Sequence, residues 1–180
     1  MHPRTEEMLR HLDANRVVLH AAVDSVPLEL REKRPAPDRW SVAEVLEHLT
    51  RVEEGLTRLL GMRLTEAQAA GKLTAETDTS SIADSVNHEL MLDRRRVITA
   101  GERVVPHGGI DAATAMTALE TARAKLRDLI VAHDGLSLRA VSFPHPVFGP
   151  IDGYQWFVFI GSHEARHAAQ IREIGAQIAT

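Results

Sequence analysis

Apolar residues recur at three- and four-residue intervals along four separate stretches of this chain, each long enough to form a helix with one buried face. The first stretch predicts a helix from Thr5 to Val23, with Met8, Leu9, Leu12, Val17, Leu19 and Ala22 on its apolar side. The second has the clearest start, because Ser41-Val42-Ala43-Glu44 spells a capping box in which the serine oxygen and the glutamate satisfy each other's backbone amides. Its stripe runs through Val42, Val45, Leu46, Leu49, Val52, Leu56, Leu59 and Leu60, and the helix is expected to reach Ala70 ahead of Gly71. A third helix is expected from Ala112 to His133, capped by Asp111 and stopped by Gly135, and a fourth from Asp152 to Ile178.

The connections differ in kind. Pro27 and Arg34-Pro35-Ala36-Pro37 mark the first, with room for a helical turn at Leu28 to Arg31. Lys72 to Val86, rich in Thr, Ser and Ala, forms a long crossover, followed by a candidate short helix over Asn87 to Thr99 and a break at Pro106-His107-Gly108-Gly109. Ser142 to Pro150 carries three prolines and a glycine, which at the level of sequence excludes regular structure there. Four long helices with one long crossover between the second and third predict an all-α four-helix bundle, in a single domain spanning residues 1–180.

Composition narrows the class. At 180 residues and 44% apolar the chain can build a sizeable core, and at 4% aromatic it favours helix over strand. A net charge of −4 without a basic run makes nucleic acid an improbable partner. With no cysteine, thiolate metal sites and disulfides are excluded and any metal must be held by nitrogen or oxygen. Neither a signal peptide nor an apolar stretch near the ~20 residues of a membrane span is visible. The expectation is a cytoplasmic protein acting on a small molecule.

The strongest chemical signal is His163-Glu164-Ala165-Arg166-His167 in the fourth helix. Two histidines four apart share one helix face, so both imidazoles can reach a single ion. The pattern is that of zinc proteases, yet only thirteen residues follow His167, and Gln170 and Glu173 stand where an extended protease motif needs glycine and histidine. A third ligand must come from upstream. Trp156, Ile160, His163, His167, Gln170, Ile171 and Ile174 fall in one broad stripe, so both histidines replace core residues. Of the other histidines, His48 shares this property, continuing Val45 toward Val52 on the second helix. The expected site is therefore His48, His163 and His167 around one divalent metal, with zinc or nickel leading and iron or manganese also compatible with imidazole. Trp40 and Trp156 are read as core anchors.

At these residues the chain resembles the DinB/YfiT-like superfamily of bacterial four-helix metalloproteins. Trp40-Ser41-Val42-Ala43-Glu44-Val45-Leu46-Glu47-His48-Leu49 is similar to that family's entry into its second helix. His145-Pro146-Val147-Phe148-Gly149-Pro150, followed by His163 to Ile171, is similar to its second block. The resemblance implies a metal held by His48, His163 and His167, frequent dimers and hence a homodimer here. Among relatives of this kind are bacillithiol-dependent S-transferases, mycothiol-dependent isomerases and possible metal hydrolases. It points to metal-dependent S-transfer from a low-molecular-weight thiol to a small electrophile. A hydrolase using metal-bound water, or a non-catalytic metal-stabilised stress-response dimer, is the alternative. Glu164, roughly 100° from His163 and 60° from His167 around the helix, is the candidate base, although an exposed position paired with Lys or Arg at the bundle rim explains it slightly better. Gln170 is expected to orient a ligand, Glu44 to be occupied by its capping box and Glu47 to face solvent. His145 is expected to line the pocket, and Tyr154 or Arg166 to meet an anionic substrate group.

Overall fold

A computed structural model describes residues 1–85, 87, 92–93 and 101–179. The candidate short helix over Asn87 to Thr99 falls, apart from residues 87, 92 and 93, outside the described residues, as does His88. Four long helices dominate: α1 (Pro3–Asp24), α2 (Val42–Ala69), α3 (Ala112–Ala132) and α4 (Gly153–Ile178). The main packing pairs are α1 with α4 and α2 with α3, and α2 also meets α4. The crossover of residues 70–111 separates α2 from α3, as the sequence predicts.

Local chemistry sets the helix ends. Ser41 Oγ accepts from the Glu44 amide at 3.2 Å while Glu44 Oε2 accepts from the Ser41 amide at 2.8 Å, completing the expected capping box. Asp152 and Gln155 repeat the device at the start of α4, and Asp111 caps α3 by accepting from Thr114 N at 2.7 Å. Close approach of α1 to α4 depends on Gly161, where an added Cβ would lie 2.5 Å from His11 Cδ2.

One expectation is overturned. Ser142 to Pro150 is not irregular: β1 (Ser142–His145) pairs antiparallel with β2 (Gly149–Asp152), in the register Ser142↔Asp152, Phe143↔Ile151, Pro144↔Pro150 and His145↔Gly149. Each strand of a two-stranded ribbon keeps a free edge, where a proline lacks no ladder partner. Gly149, at φ +70°, supplies the left-handed turn residue.

The core is split. One apolar cluster joins Met8 and Leu12 to Leu60, Leu64, Leu126, Ile130 and Phe157. The other joins Leu19 and Val23 to Leu46, Leu49, Leu119, Ile171 and Ile174. Between them every long helix contributes one buried charge: Arg16, Glu53, Arg123 and Glu164. Arg123 Nε donates to Glu53 Oε1 at 2.7 Å, and Arg16 Nη2 donates to Glu164 Oε1 at 2.7 Å. Arg123 Nη2 also lies 3.0 Å from Glu164 Oε1. Val17, expected on the apolar face of α1, is 68% exposed, because Arg16 occupies the inward position.

Candidate functional site

His48, His163 and His167 converge where α2 crosses α4. One ring nitrogen from each lies within 4.8 Å of the other two. Their ring centroids are 5.4 Å apart for His48 and His163, 4.8 Å for His48 and His167, and 4.5 Å for His163 and His167. The helical repeat places His163 and His167 one turn apart on α4, and the capping box fixes where α2 begins and so where His48 points.

Hydrogen bonding sets the tautomers. His48 Nδ1 lies 2.7 Å from the Val104 carbonyl, and His167 Nδ1 lies 2.8 Å from Gln170 Oε1. Both partners accept only, so both Nδ1 atoms carry the proton and Nε2 becomes the lone-pair nitrogen. His167 Nε2 stands 3.1 Å from His163 Nε2. Two nitrogens each about 2.0 Å from a tetrahedral ion would be about 3.3 Å apart, so this pair is spaced for a shared cation. Burial pushes the His48 imidazole below its ordinary range, against the opposing pull of its bond to the Val104 carbonyl. Burial and the neighbouring His48, Arg166 and His145 push His163 down to about 3. Neutral imidazoles are the form that binds cations. Three nitrogen donors without thiolate or carboxylate suit zinc, nickel or another first-row ion, and their open side faces solvent.

That open side is a cleft of ≈ 1580 Å³. Trp40 lies against His48 with ring centroids 4.9 Å apart, and Phe159 stacks on His163 at 5.4 Å. The hairpin supplies a further wall through His145 and Phe148. Val52, Leu56 and Leu59, expected in the core stripe of α2, are only half-buried because they line this cleft. Phe159, one turn before His163, is the site residue that sequence reasoning missed; its i, i+4 spacing was the available signal.

Several expected roles are corrected by position. Glu164 neither flanks the histidines nor sits at the rim. It is 1% exposed, and its Oε1 accepts from Arg16 inside the ionic layer. The rotation of roughly 100° per residue that turns His163 toward the cleft turns Glu164 into the bundle. Tyr154 is also elsewhere: its hydroxyl donates to Glu76 Oε2 at 2.6 Å, in a cluster where Arg4 Nη1 meets the same carboxylate at 2.9 Å. Glu44 is taken up by its cap and by Arg34. Glu47 does not face solvent; it accepts from the His107 and Gly108 amides, both at 2.9 Å, and from Arg51 Nε at 3.1 Å. These contacts anchor the loop that presents the Val104 carbonyl to His48. Gln170 Oε1 meets His167, and His145 and Arg166 both line the cleft, with Arg166 Nη1 donating to the Asp93 carbonyl at 2.7 Å.

Comparison with known proteins gives a consistent picture. Residues 11–171 match the family model described as the DinB superfamily. The chain is 29% identical over 155 residues to the uncharacterized protein YuaE of Bacillus subtilis (strain 168), covering 83% of this chain and 86% of that protein. The crystal structure of TT2238, a four-helix bundle protein, superposes with a TM-score of 0.57 at 19% identity, covering 94% of this chain and 98% of that one. At that identity the likeness concerns the fold.

Proposed function

We propose that this chain, which belongs to the DinB superfamily, is a metal-dependent S-transferase that joins a low-molecular-weight thiol to a small electrophile. The observation that carries the reading is a trio of imidazoles on an open cleft, two of them with Nδ1 tied to an acceptor. His48, His163 and His167 would hold the cation. When bound, a divalent cation there supplies the Lewis acidity that keeps a coordinated thiol deprotonated at neutral pH.

The protein's own residues have three tasks in this scheme. Val104 and Gln170 orient His48 and His167 and strengthen them as donors. Trp40 and Phe159 wall the histidines with apolar surface, which thins the water around a reacting sulfur. The cleft admits the electrophile. Thiol transfer suits this arrangement better than hydrolysis. A hydrolase needs a base for its water, and the candidate next to the ligands in sequence, Glu164, is committed to Arg16 and Arg123, while Glu47 already accepts three N–H groups; Glu54 and Glu173, which also line the cleft, are the carboxylates whose replacement tests the hydrolytic alternative.

The test begins with elemental mass spectrometry on untagged protein. The wild type should carry about one divalent ion per chain, and His48→Ala and His163→Ala should each lose it. The loaded protein should then conjugate 1-chloro-2,4-dinitrobenzene only when bacillithiol, mycothiol or another small thiol is added. No ion even after reconstitution with zinc or nickel overturns the site, and ester hydrolysis without thiol overturns the transfer reading.

A further inference from the structure

The hairpin presents to the cleft an imidazole whose tautomer is fixed. His145 is 8% exposed, and its Nδ1 accepts from the Val147 amide at 3.0 Å and the Phe148 amide at 3.3 Å. An Nδ1 that accepts two backbone N–H groups cannot carry a proton, so the ring proton is on Nε2. Burial also holds His145 down at about 4, which makes this a neutral donor at physiological pH. Nε2 has no partner among the described residues, and His145 is part of the cleft wall.

Its surroundings are aromatic. The ring centroid of His145 is 4.5 Å from Phe159, 4.8 Å from Phe148 and 5.1 Å from Trp156. Phe143 stacks on Trp156 at 4.4 Å. Trp156 adds a second, independent observation: its indole N–H is buried and has no hydrogen-bond partner among the described residues. A buried indole N–H without an acceptor is unusual, since buried donors are ordinarily paired, and it lies in the same aromatic cluster as the cleft-lining His145. Phe159 links the cluster to the histidine trio, touching His145 on one side and His163 on the other.

We infer that His145 Nε2–H is the specificity-determining donor of an acceptor subsite, and that the electrophile taken here is a flat, apolar compound bearing a hydrogen-bond-accepting oxygen, of the conjugated-carbonyl class. The inference deepens the S-transfer reading and rests on it for the reaction. In that reaction the thiol loses its proton to solvent, its sulfur bonds to the β-carbon, and the C=C π pair shifts through the conjugated system to the carbonyl oxygen, returning to the C=O when the α-carbon is protonated. The His145 N–H stabilises the developing negative charge, and a proton from solvent is taken up at the α-carbon. A fixed, neutral donor directed at a developing oxyanion needs no reorganisation as the charge forms.

The test uses acetophenone and ethylbenzene, unreactive compounds of similar size with and without the carbonyl, on the zinc-loaded protein. Binding is followed through the Trp156 indole N–H by NMR, with Trp40→Phe assigning the signal. Acetophenone should bind about tenfold more tightly than ethylbenzene, the scale of one hydrogen bond, and His145→Phe should bring that ratio close to one. Without any substitution in the hairpin, ¹⁵N-labelled imidazole spectra should show His145 as the Nε2–H tautomer, with a signal that moves on adding acetophenone and not ethylbenzene. Equal affinities, a preference that survives His145→Phe, or an Nδ1–H tautomer would each overturn the subsite. A clear preference in a protein that conjugates no thiol removes the transfer reading alone; conjugation without the preference removes the subsite alone.

Discussion

Residues 163 and 164 are neighbours on one helix and belong to two different polar regions. His163 joins His48 and His167 at the floor of an open cleft, while Glu164 joins Arg16, Glu53 and Arg123 across the middle of the bundle. The ionic layer sets two carboxylates between two guanidiniums, with Arg16 reaching on to Glu120 at 2.9 Å, and it separates two apolar clusters. The trio turns ring nitrogens toward one another, with His163 Nε2 and His167 Nε2 3.1 Å apart, an arrangement that a cation would complete. Buried charge held between opposite charges is spent on the fold; imidazoles turned toward one another on a cleft are left open to a ligand.

Breaking the ionic layer should have the largest effect. Glu164→Ala leaves Arg16 and Arg123 with Glu53 as the one buried carboxylate between them, Arg16 keeping only the half-exposed Glu120 besides, and urea unfolding should register a loss of about 3–5 kcal/mol. Replacing His163 by Ala in chelated protein should cost far less, and a similar loss there would erase the contrast between the regions.

Acid should act on the histidines. His163 and His145 are held at about 3 and about 4 in the folded protein, below the ordinary imidazole value of 6.5. The unfolded chain therefore binds protons first as pH falls, so their stabilisation is complete above 6.5 and drains away toward 4 and then 3. Each such imidazole contributes a slope of about 1.4 kcal/mol per pH unit. In chelated protein, denaturant titrations between those limits should show a flatter slope for His163→Ala than for the wild type.

Gln170→Ala keeps all three imidazoles and removes only the acceptor on His167. Cation affinity should fall by about 10–100-fold with one ion still bound at saturation, as competition with a chelating dye would show. An unchanged affinity would mean that the 2.8 Å contact does not orient the ring. The smallest effect is expected at the exposed Arg63–Glu66 pair, where Arg63→Ala should move the unfolding free energy by less than about 0.5 kcal/mol. That variant is the surface reference for the buried layer.

The four helices, their caps and the pairing of His163 with His167 are legible in the chain, because each depends on spacing within about four residues: Ser41 with Glu44, Asp152 at the start of α4, and one helical turn between the histidines. Even the long-range partner, His48, is signalled locally, as a polar residue on the apolar stripe of α2. By the same logic Arg16, Glu53, Arg123 and Glu164 interrupt their own stripes, and they would have been found by asking which charges stand at core positions. What the stripes could not say is which charge meets which, or toward which side of a helix with two buried faces each residue turns. Its angle around one helix alone places Glu164 beside the histidines, yet α1 and α3 bring two arginines to it and so decide its role. Likewise, the prolines of the 142–150 segment argue against a strand one at a time, and are accommodated once Pro144 and Pro150 face each other across a ribbon. Sequence determined the elements and the donor atoms, since these follow from neighbours along the chain. Only the tertiary structure decided which donors share a cleft and which are neutralised in the core, since those outcomes depend on side chains supplied by distant helices.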